Sequence, residues 1–539
     1  MNFNFMKSEE GTKIISYILG IVIVLSIIFK EYVKQNIISI SGIVFGLVFI
    51  GAVAYVIKKI KISKDKKLIL IILVVIIVKL MFPLYHTWSP DDMWIMEEGK
   101  NFVLKGEAVN CVYDLAGVET CQAYKTIGYP VVNGLSFLMF GLNNYISLIL
   151  TTIFSIITVL MLYLAIKKID KEKAFWASLL IGVSLQFTIT GAHVDSIAFA
   201  TALIATALYF FIEYLYEQKN ESQLPAIIFL LLATMARIEY GLTAILLVPI
   251  YINRLSKNKV KNLVLIIMAV AIFAILFLYQ QGQMGALHSH TEYFNTYISL
   301  DNISHNFNSI KYHYGSEKVI GFILLVIVGF FLGIKNKKKD WIFLSMAALP
   351  LLFYLMFESP HLKETIFFIA ILLMPLIAEV ILEVSKSKHK KIIGFAIAII
   401  IIVAGINATI DARARYDENP YFYLDTVSLN KLTNNLTKDC YLITERISFA
   451  SATNDLKVIG LTNVVFYEAE FLKLIEDNCA VLYENQYCYQ NIEKSMGRTD
   501  AMVDSTGRCK YVKENYNLEK MHLAERKDIE YNLYKITPK

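Results

Sequence analysis

Long apolar blocks, separated by short polar or lysine-rich links, run through most of this chain. A helix needs about 20 mostly apolar residues to cross the hydrocarbon core of a bilayer. The pattern therefore predicts a polytopic α-helical membrane protein with about 13 transmembrane helices. Two blocks, 224–236 and 240–253, are short and are better interpreted as a bent hairpin. The predicted spans are 14–29, 37–57, 68–85, 142–166, 174–190, 195–216, 224–236, 240–253, 262–280, 318–334, 341–357, 366–384 and 392–409.

Composition agrees with this pattern. Hydrophobic residues make up 56% of the 539 residues, charged residues only 18%, and the mean hydropathy is +0.52. These values exclude an ordinary soluble globular protein of this size. The net charge of +6 comes mostly from the lysine-rich links, so it predicts no nucleic-acid partner.

The placement of lysine predicts the orientation in the membrane. Lysine-rich links occur at 58–67, 167–173, 254–261, 335–339 and 386–391, between alternate pairs of predicted spans. Such links are typically cytoplasmic. We therefore expect a multi-pass protein of the cell membrane with a cytoplasmic N-terminus and an extracytoplasmic C-terminal region. The first span lacks a small-residue cleavage site after Phe29, which favours a retained anchor over a signal peptide.

The cysteines are an independent indication of the outer face. All six lie in segments predicted to be extracytoplasmic, where disulfides persist. We expect Cys111 and Cys121 to form a bridge within their loop, whereas the pairing of the other four is left open. Zinc binding is less favoured because no CxxC spacing is present. The disulfide candidates are Cys111, Cys121, Cys440, Cys479, Cys488 and Cys509.

The chain divides into three predicted regions. Two N-terminal spans with a basic link occupy 1–67, a transmembrane core occupies 68–409, and a small extracytoplasmic α/β domain occupies 410–539. Outer loops are predicted at 86–141 and 281–317. The α/β domain is inferred from short β-rich runs and one helical pattern. Those runs are Tyr441–Thr444, Val464–Tyr467 and Ala480–Tyr483, with a helix near Glu468–Glu476.

The first outer loop begins with an acidic pair in Ser89-Pro90-Asp91-Asp92. One interpretation is a helix cap, in which Ser89 is the N-cap, Pro90 the first helical residue and Asp92 the capping-box acid. The other is a catalytic base beside a lipid-borne substrate, and the two are compatible. Helical spacing places Asp91, Trp94 and Glu98 on one face. Trp94 suits either a sugar ring or an interfacial anchor.

Several further charged residues lie near the outer ends of predicted spans. Lys125 and Lys363 could each hold a phosphate or simply extend toward the interface. Arg237-Ile238-Glu239 interrupts apolar sequence, where ionisable residues are usually functional. That segment could form a tight outer turn, an ion pair or a phosphate clamp. Asp195 opens the sixth span, either as a site residue or as an acid favoured by the helix macrodipole.

Two motifs resemble those of the GT-C superfamily of integral-membrane glycosyltransferases, in particular the family-39-like group of protein O-mannosyltransferases and the aminoarabinose transferase of lipid A. They are SPDDMWIMEEGKNFVLKG at 89–106 and KTIGYPVVNGLSFLMFG at 125–141. The resemblance covers roughly 68–384, and Ile127 departs from its usual proline. It implies an apolar helix ending in glycine after the turn, an acid in the second outer link that matches Asp195, and a mobile loop that matches 281–317.

The resemblance implies transfer of a sugar from a polyprenyl-phosphate donor to an acceptor hydroxyl on the extracytoplasmic face, with inversion. It indicates catalytic roles for Asp91, Asp92 and Asp195, with Asp91 as the base that takes the hydroxyl proton. Donor-phosphate binding is expected of Lys125, Arg237 and Lys363. Substrate binding is expected of Trp94, Tyr129 and Glu239. The acceptor could be a glycan, a lipid or a protein; no cofactor is assigned, and a divalent metal is left open.

Two other functions fit the same sequence. A polytopic transporter or lipid flippase would also place charged residues among its spans, although no internal repeat is visible and the outer segments are large. A glycan polymerase or ligase would use lipid-linked sugars on the same face. Release of free lipid phosphate from a labelled donor separates transfer from transport.

Overall fold

The computed structural model describes most of 36–241, together with 259–283, 316–336, 362–385, 390–418 and most of 428–485 and 505–539. Isolated described residues are 21, 24, 28, 29, 32, 302–304, 306–308, 347 and 488. Within the longer segments the description omits 61–64, 82–89, 116–117, 124–125, 185–186, 189–190, 192–193, 195, 238–239, 430, 434–435, 438, 446–449, 451–455 and 527–528.

Long helices dominate the first 418 residues. In chain order they are α1 (Ile37–Lys59), α2 (Lys66–Leu80), α3 (Pro90–Lys105), α4 (Gly128–Phe140), α5 (Asn144–Lys167), α6 (Lys171–Gly182), α7 (Ser196–Glu217), α8 (Gln223–Ala236), α9 (Lys259–Gln283), α10 (Ser316–Lys335), α11 (Leu362–Val384) and α12 (Lys390–Glu418).

Four helices of the described part are long and apolar enough to cross a membrane. They are Ile37–Lys59, Tyr145–Lys167, Ser196–Glu217 and Ile392–Asp411, and each coincides with a predicted span. Three shorter apolar helices, Gln223–Ala236, Ile266–Leu278 and Ile320–Lys335, also lie on predicted spans. The predicted spans 14–29, 240–253 and 341–357 lie mostly outside the described residues, so the count of thirteen stays a prediction.

Helix α7 (Ser196–Glu217) is the most enclosed of the four, with 94% of its apolar window buried. Small residues such as Ala198 and Ala202 allow neighbouring helices to approach closely, as is usual between membrane helices. Phe199 fills the remaining space, with ring centroids 4.8 Å from Phe154 and 5.3 Å from Tyr129. In contrast, only 11% of the window of Ile392–Asp411 is buried, which is typical of a helix facing lipid.

Charged side chains at helix ends form local ion pairs. Asp65 is the N-cap of α2 and accepts hydrogen bonds from Lys67 N at 3.1 Å, Lys167 Nζ at 2.7 Å and Tyr163 Oη at 2.8 Å. In the first turn of α6, Lys173 Nζ lies 2.7 Å from Glu379 Oε2 of α11, and both side chains are fully buried. These pairs join α2 to α5 and α6 to α11.

The chain forms two compact units. The first comprises 1–83, 126–132 and 148–413 and holds most of the apolar helices. The second comprises 84–125, 133–147 and 414–539. The second unit therefore contains the acidic helix α3 as well as the C-terminal region.

The C-terminal region contains a five-stranded mixed sheet with the order β4-β3-β5-β7-β6. Strands β4, β3 and β5 are parallel, and β7 is antiparallel to β5 and β6. Alternate residues of β3 enter different cores: Tyr441 and Ile443 pack in one cluster and Leu442 in the other. The elements of the second unit that follow α3 are β1 (Asn110–Tyr113), β2 (Glu119–Gln122), β3 (Tyr441–Thr444), β4 (Lys457–Gly460), α13 (Leu461–Phe466), α14 (Glu468–Asp477), β5 (Ala480–Glu484), α15 (Ser505–Asn515), β6 (Asn517–Arg526) and β7 (Ile529–Thr537).

One predicted strand was wrong. The β-rich run Val464–Tyr467 forms the end of helix α13, and the missed strand β4 lies just before it at Lys457–Gly460. Leu461 and Val464 are both fully buried in the core beside the sheet. Their spacing of three residues fits one face of a helix, so tertiary packing overrode the local preference of valine and phenylalanine for a strand.

The predicted outer loop 86–141 is largely regular structure. It contains the acidic helix, a hairpin of β1 and β2, and the apolar helix α4. Gly141 follows α4 with φ +89°, and its N–H donates to Phe137 O at 2.8 Å. A glycine in this left-handed conformation is a common helix terminator. The helix ending in glycine that the resemblance implied is therefore confirmed.

Candidate functional site

The acidic motif lies at the start of helix α3, which begins at Pro90 as the capping interpretation predicted. The backbone of Asp91 is in this helix, whereas its side chain and the whole of Ser89 lie outside the described residues. Asp92 is 1% exposed, and Trp94 is half-buried. The Asp92 carboxylate is therefore buried, and its role as the capping acid stays a prediction.

Two further acids of α3 hold the β1–β2 hairpin. Cys111 N donates to Glu97 Oε1 at 3.0 Å, and Asn110 Nδ2 donates to Glu98 Oε1 at 2.8 Å. Both carboxylates are buried. One turn further on, Asn101 Nδ2 donates to Val109 O at 2.7 Å. The predicted face of Asp91, Trp94 and Glu98 is thus occupied by hairpin contacts at its Glu98 end.

The hairpin also joins the core of the C-terminal sheet. The Tyr113 ring lies 6.3 Å from that of Tyr441 in an edge-to-face arrangement, and Leu115 is buried in the same cluster as Ile459. Burial raises the pKa of the Tyr113 phenol, and the nearby Glu119 carboxylate raises it further. The acidic helix, the hairpin and the sheet therefore form one packed unit.

The turn after Lys125 contacts the end of helix α8. Thr126 Oγ1 donates to Ala236 O at 2.5 Å. A Cβ on Gly128 would lie 2.9 Å from the Ala236 backbone, so only glycine allows this approach. Arg237 follows directly in extended conformation, with its N–H bonded to Ala233 O at 2.8 Å. Two of the segments predicted to bind phosphate, at 125 and 237, therefore adjoin one backbone contact.

Tyr129 lies inside the first unit. It is fully buried, its hydroxyl is hydrogen-bonded to Thr151 Oγ1, and its ring packs on Phe199 and Phe154. These contacts give Tyr129 a structural role in the packing of the helices. A role of Tyr129 in substrate binding stays a prediction.

The remaining predicted residues are not described in full. Lys125, Asp195 and Glu239 lie outside the described residues. Lys363 belongs to helix α11, but its side chain is not described. Their predicted roles stay predictions.

One buried cation was not predicted from the sequence. Lys79, near the end of α2, donates from Nζ to Phe187 O at 2.5 Å and lies 4.2 Å from the centroid of the Phe187 ring. The residue is only 6% exposed. A single lysine at the end of an apolar block resembles a residue that extends to the interface, so only the fold reveals its burial.

All six cysteines are paired, and the Cys111–Cys121 bridge is the one that the sequence predicted. The bridges are Cys111–Cys121, Cys440–Cys479 and Cys488–Cys509. Among the described residues, the group with metal-ligand spacing is Cys111, Glu119 and Cys121. Its two sulfurs are joined in a disulfide and offer no thiolate, so this group is not a metal site.

Charged groups near the carboxyl ends of β3 and β5 are used in internal pairing. Arg508 binds Glu445 through two hydrogen bonds, Nε to Oε1 at 2.5 Å and Nη2 to Oε2 at 2.8 Å. Glu484 is fully buried, pairs with Lys513 and accepts from Asn532 Nδ2 at 2.9 Å. These contacts give the charged groups a stabilising role in the sheet.

Residues 119–423, more than half of the chain, match the profile of the EpsG family. The chain belongs to the EpsG family. The matched region begins in strand β2 and includes the Thr126–Ala236 contact. A comparison with curated proteins gave no match for this EpsG-family chain.

Solved structures with a similar fold include ArnT from Cupriavidus metallidurans bound to undecaprenyl phosphate. The TM-score is 0.54 at 11% identity, over 88% of this chain and 98% of ArnT. The apo form of ArnT gives a TM-score of 0.55 at 8% identity, over 87% and 97% of the two chains. The Archaeoglobus fulgidus oligosaccharyltransferase tethered to an acceptor peptide gives 0.51 at 11% identity, over 88% and 74%.

These similarities show that the chain shares its fold with ArnT and the oligosaccharyltransferase. Together with the apolar helices, they identify an integral membrane protein. At such low identity the similarity concerns the fold and assigns no activity.

Proposed function

We propose that this protein is a membrane glycosyltransferase that moves a sugar from a polyprenyl-phosphate donor to an acceptor hydroxyl on the extracytoplasmic face. The contact of Thr126 and Gly128 with Ala236 is the observation that carries this proposal. It brings together the backbones next to Lys125 and Arg237, two cations suited to a phosphate. The fold shared with ArnT bound to undecaprenyl phosphate supports the same donor class.

In the proposed reaction, the acceptor oxygen attacks the anomeric carbon while the bond from that carbon to the phosphate oxygen breaks. Polyprenyl phosphate leaves, and Asp91 takes the hydroxyl proton. Direct displacement inverts the anomeric centre. Lys125 and Arg237 stabilise the charge that develops on the phosphate, with Lys363 as a further cation. Asp92 and Asp195 are the other acids assigned to the catalytic site, and Trp94 and Glu239 contact the sugar or the acceptor.

Membership in the EpsG family favours one form of this reaction, in which the acceptor is a growing glycan and the enzyme acts as a polymerase. A polymerase would yield a ladder of products from one donor, whereas a transferase of single sugars would yield one product. The length distribution of labelled products therefore separates the two.

The test is incubation of the purified protein with radiolabelled polyprenyl-phosphate sugars, with and without glycan acceptors. We expect release of free polyprenyl phosphate and a labelled product with inverted configuration. The Asp91→Asn variant should lose about 10²–10⁴-fold in turnover, the usual contribution of a general base. Glu107→Gln, a loop acid just beyond helix α3, is the matched control. Transport of intact donor into vesicles without cleavage would instead identify a flippase.

A further inference from the structure

Lys79 places an amino group inside the first unit. Its Nζ donates to Phe187 O at 2.5 Å and to Thr188 O at 3.4 Å, and it lies over the Phe187 ring. In the described part of the chain, its hydrogen-bond acceptors are these two carbonyl oxygens. An ionisable residue in a membrane span is expensive and usually marks function.

The same carbonyl anchors a turn. Phe187 O accepts from Lys79 Nζ and also from Gly191 N at 3.1 Å. Gly191 O in turn accepts from Thr152 Oγ1 at 3.0 Å. Helices α2 and α5 therefore both form hydrogen bonds to this turn, α2 through Lys79 and α5 through Thr152.

Gly191 lies against the lysine. A Cβ at Gly191 would overlap both Lys79 Nζ and Ser155 Oγ. Any other residue at this position would therefore require the lysine Nζ and the serine hydroxyl to move. Lys79 and Gly191 form a close pair, in which Nζ holds the turn and glycine leaves room for Nζ.

We propose that Lys79 is a positioning residue for the second outer link, 191–195. The hydrogen bonds from its Nζ fix the turn from Phe187 to Gly191 and so set where the link begins, four residues before Asp195. The catalytic consequence rests on the proposed function, since Asp195 is assigned to the site there. The structural consequence, a fixed turn, does not depend on any activity.

The structural part is tested by thiol labelling. Ala192→Cys introduces the only free thiol, because all six native cysteines are in disulfides. Loss of hydrogen bonds to a charged group loosens local structure, so Lys79→Met should increase the labelling rate by a membrane-impermeant maleimide about tenfold. Lys66→Met removes an exposed charge from the same helix and should leave the rate unchanged. Equal rates in the Lys79→Met protein and its parent would overturn the proposal.

The catalytic part is tested by steady-state kinetics with the labelled polyprenyl donor. A misplaced site residue lowers kcat, by about 10²-fold for a displacement near 1 Å, so Lys79→Met should lower kcat and leave the donor KM unchanged. Gly191→Ala should cause a similar loss, and the double variant should lose little more, since both changes disturb one contact. Melting temperatures in detergent establish that each variant is folded.

Failure of the positioning role and failure of the proposed function give different experimental results. An increased donor KM with unchanged kcat in Lys79→Met would mean that Lys79 binds the donor anion, which overturns the positioning role. Additive losses in the double variant would overturn it as well. If the wild-type protein cleaves no polyprenyl-phosphate sugar, the proposed function fails, while the labelling result still decides whether Lys79 fixes the turn.

Discussion

The backbone N–H of Cys111 donates a hydrogen bond to the buried carboxylate of Glu97 at 3.0 Å. This bond joins the acidic helix α3 to a hairpin closed by the Cys111–Cys121 disulfide. On its other side the hairpin packs against the C-terminal sheet through Tyr113 and Tyr441. The helix that carries Asp91 is therefore held in place by the C-terminal region through a covalently closed hairpin.

Removal of the Cys111–Cys121 bridge should loosen this connection. In the chain-entropy description, a bridge across about 10 residues stabilises the folded state by about 3 kcal/mol. We expect the Cys111→Ala/Cys121→Ala variant to unfold at a lower temperature and to transfer sugar more slowly. Thermal unfolding in detergent and donor turnover are the measurements.

The matched control is Cys440→Ala/Cys479→Ala, which removes a bridge between the residues that directly precede β3 and β5. It should lower stability by a similar amount with a smaller loss of turnover. An equal loss of turnover in both variants would show that general stability, and not the hairpin, sets the rate.

The sequence predicted the disulfide of the hairpin, but it did not predict that the hairpin packs on the C-terminal sheet. Cys111 and Cys121 share one short loop, so their pairing follows from local spacing. The packing of Tyr113 and Leu115 on the C-terminal sheet joins residues more than 300 positions apart. No periodicity encodes such a contact, which depends on the tertiary fold alone.

Arg237 provides the second prediction. Its planar fork of donors suits a phosphate better than a point charge does, so Arg237→Lys should retain part of the activity and Arg237→Gln very little. Loss of one electrostatic stabiliser of the transition state typically lowers kcat by about 10²–10³-fold. Turnover of the labelled donor is the measurement, and Lys335→Gln, an exposed cation at the end of α10, is the control. Full activity of Arg237→Gln would remove Arg237 from the proposed site.

Asp91, Lys125 and Arg237 are candidates because charged residues at the ends of apolar blocks stand out in the sequence, and their roles stay predictions. The contact of Gly128 with Ala236 could not be predicted, since glycine in GYP fits a turn equally well in isolation. Lys79 was missed for a related reason, because burial of a lysine depends on which helix packs over it.

The buried pair of Lys173 and Glu379 provides a prediction on stability. Both side chains are at most 1% exposed, and Asn336 Nδ2 also donates to Glu379 Oε1 at 2.8 Å. Lys173→Met leaves a buried carboxylate without its cation and should destabilise the protein by about 3–5 kcal/mol. The Lys173→Met/Glu379→Leu double variant should recover most of this loss.

The control for the buried ion pair is the exposed ion pair of Lys67 and Glu172, whose side chains are 37% and 49% exposed. Exposed pairs contribute about 0–1 kcal/mol, so Lys67→Met should change the unfolding free energy little. The measurement is thermal or denaturant unfolding in detergent. Equal effects of Lys173→Met and Lys67→Met would contradict a structural role for the buried pair.

Asp65 makes stability depend on pH. The hydrogen bond from Lys167 is the main cause that holds the pKa of the Asp65 carboxyl well below its usual range, and the bonds from Tyr163 and Lys67 N act in the same direction. A carboxyl with a depressed folded-state pKa stabilises the folded protein at pH above its unfolded value, about 3.9. This stabilisation is lost as pH falls from that value through the folded pKa.

Asp65→Asn should therefore melt at a lower temperature than wild type at pH 7, and the difference in melting temperature should narrow below about pH 4. Glu470→Gln, at an exposed acid of α14, should melt at the wild-type temperature both at pH 7 and below about pH 4. If the melting temperatures of wild type and Asp65→Asn differ by the same amount from about pH 7 to about pH 3, the Asp65 side chain acts through its shape and cap geometry, and not through its charge.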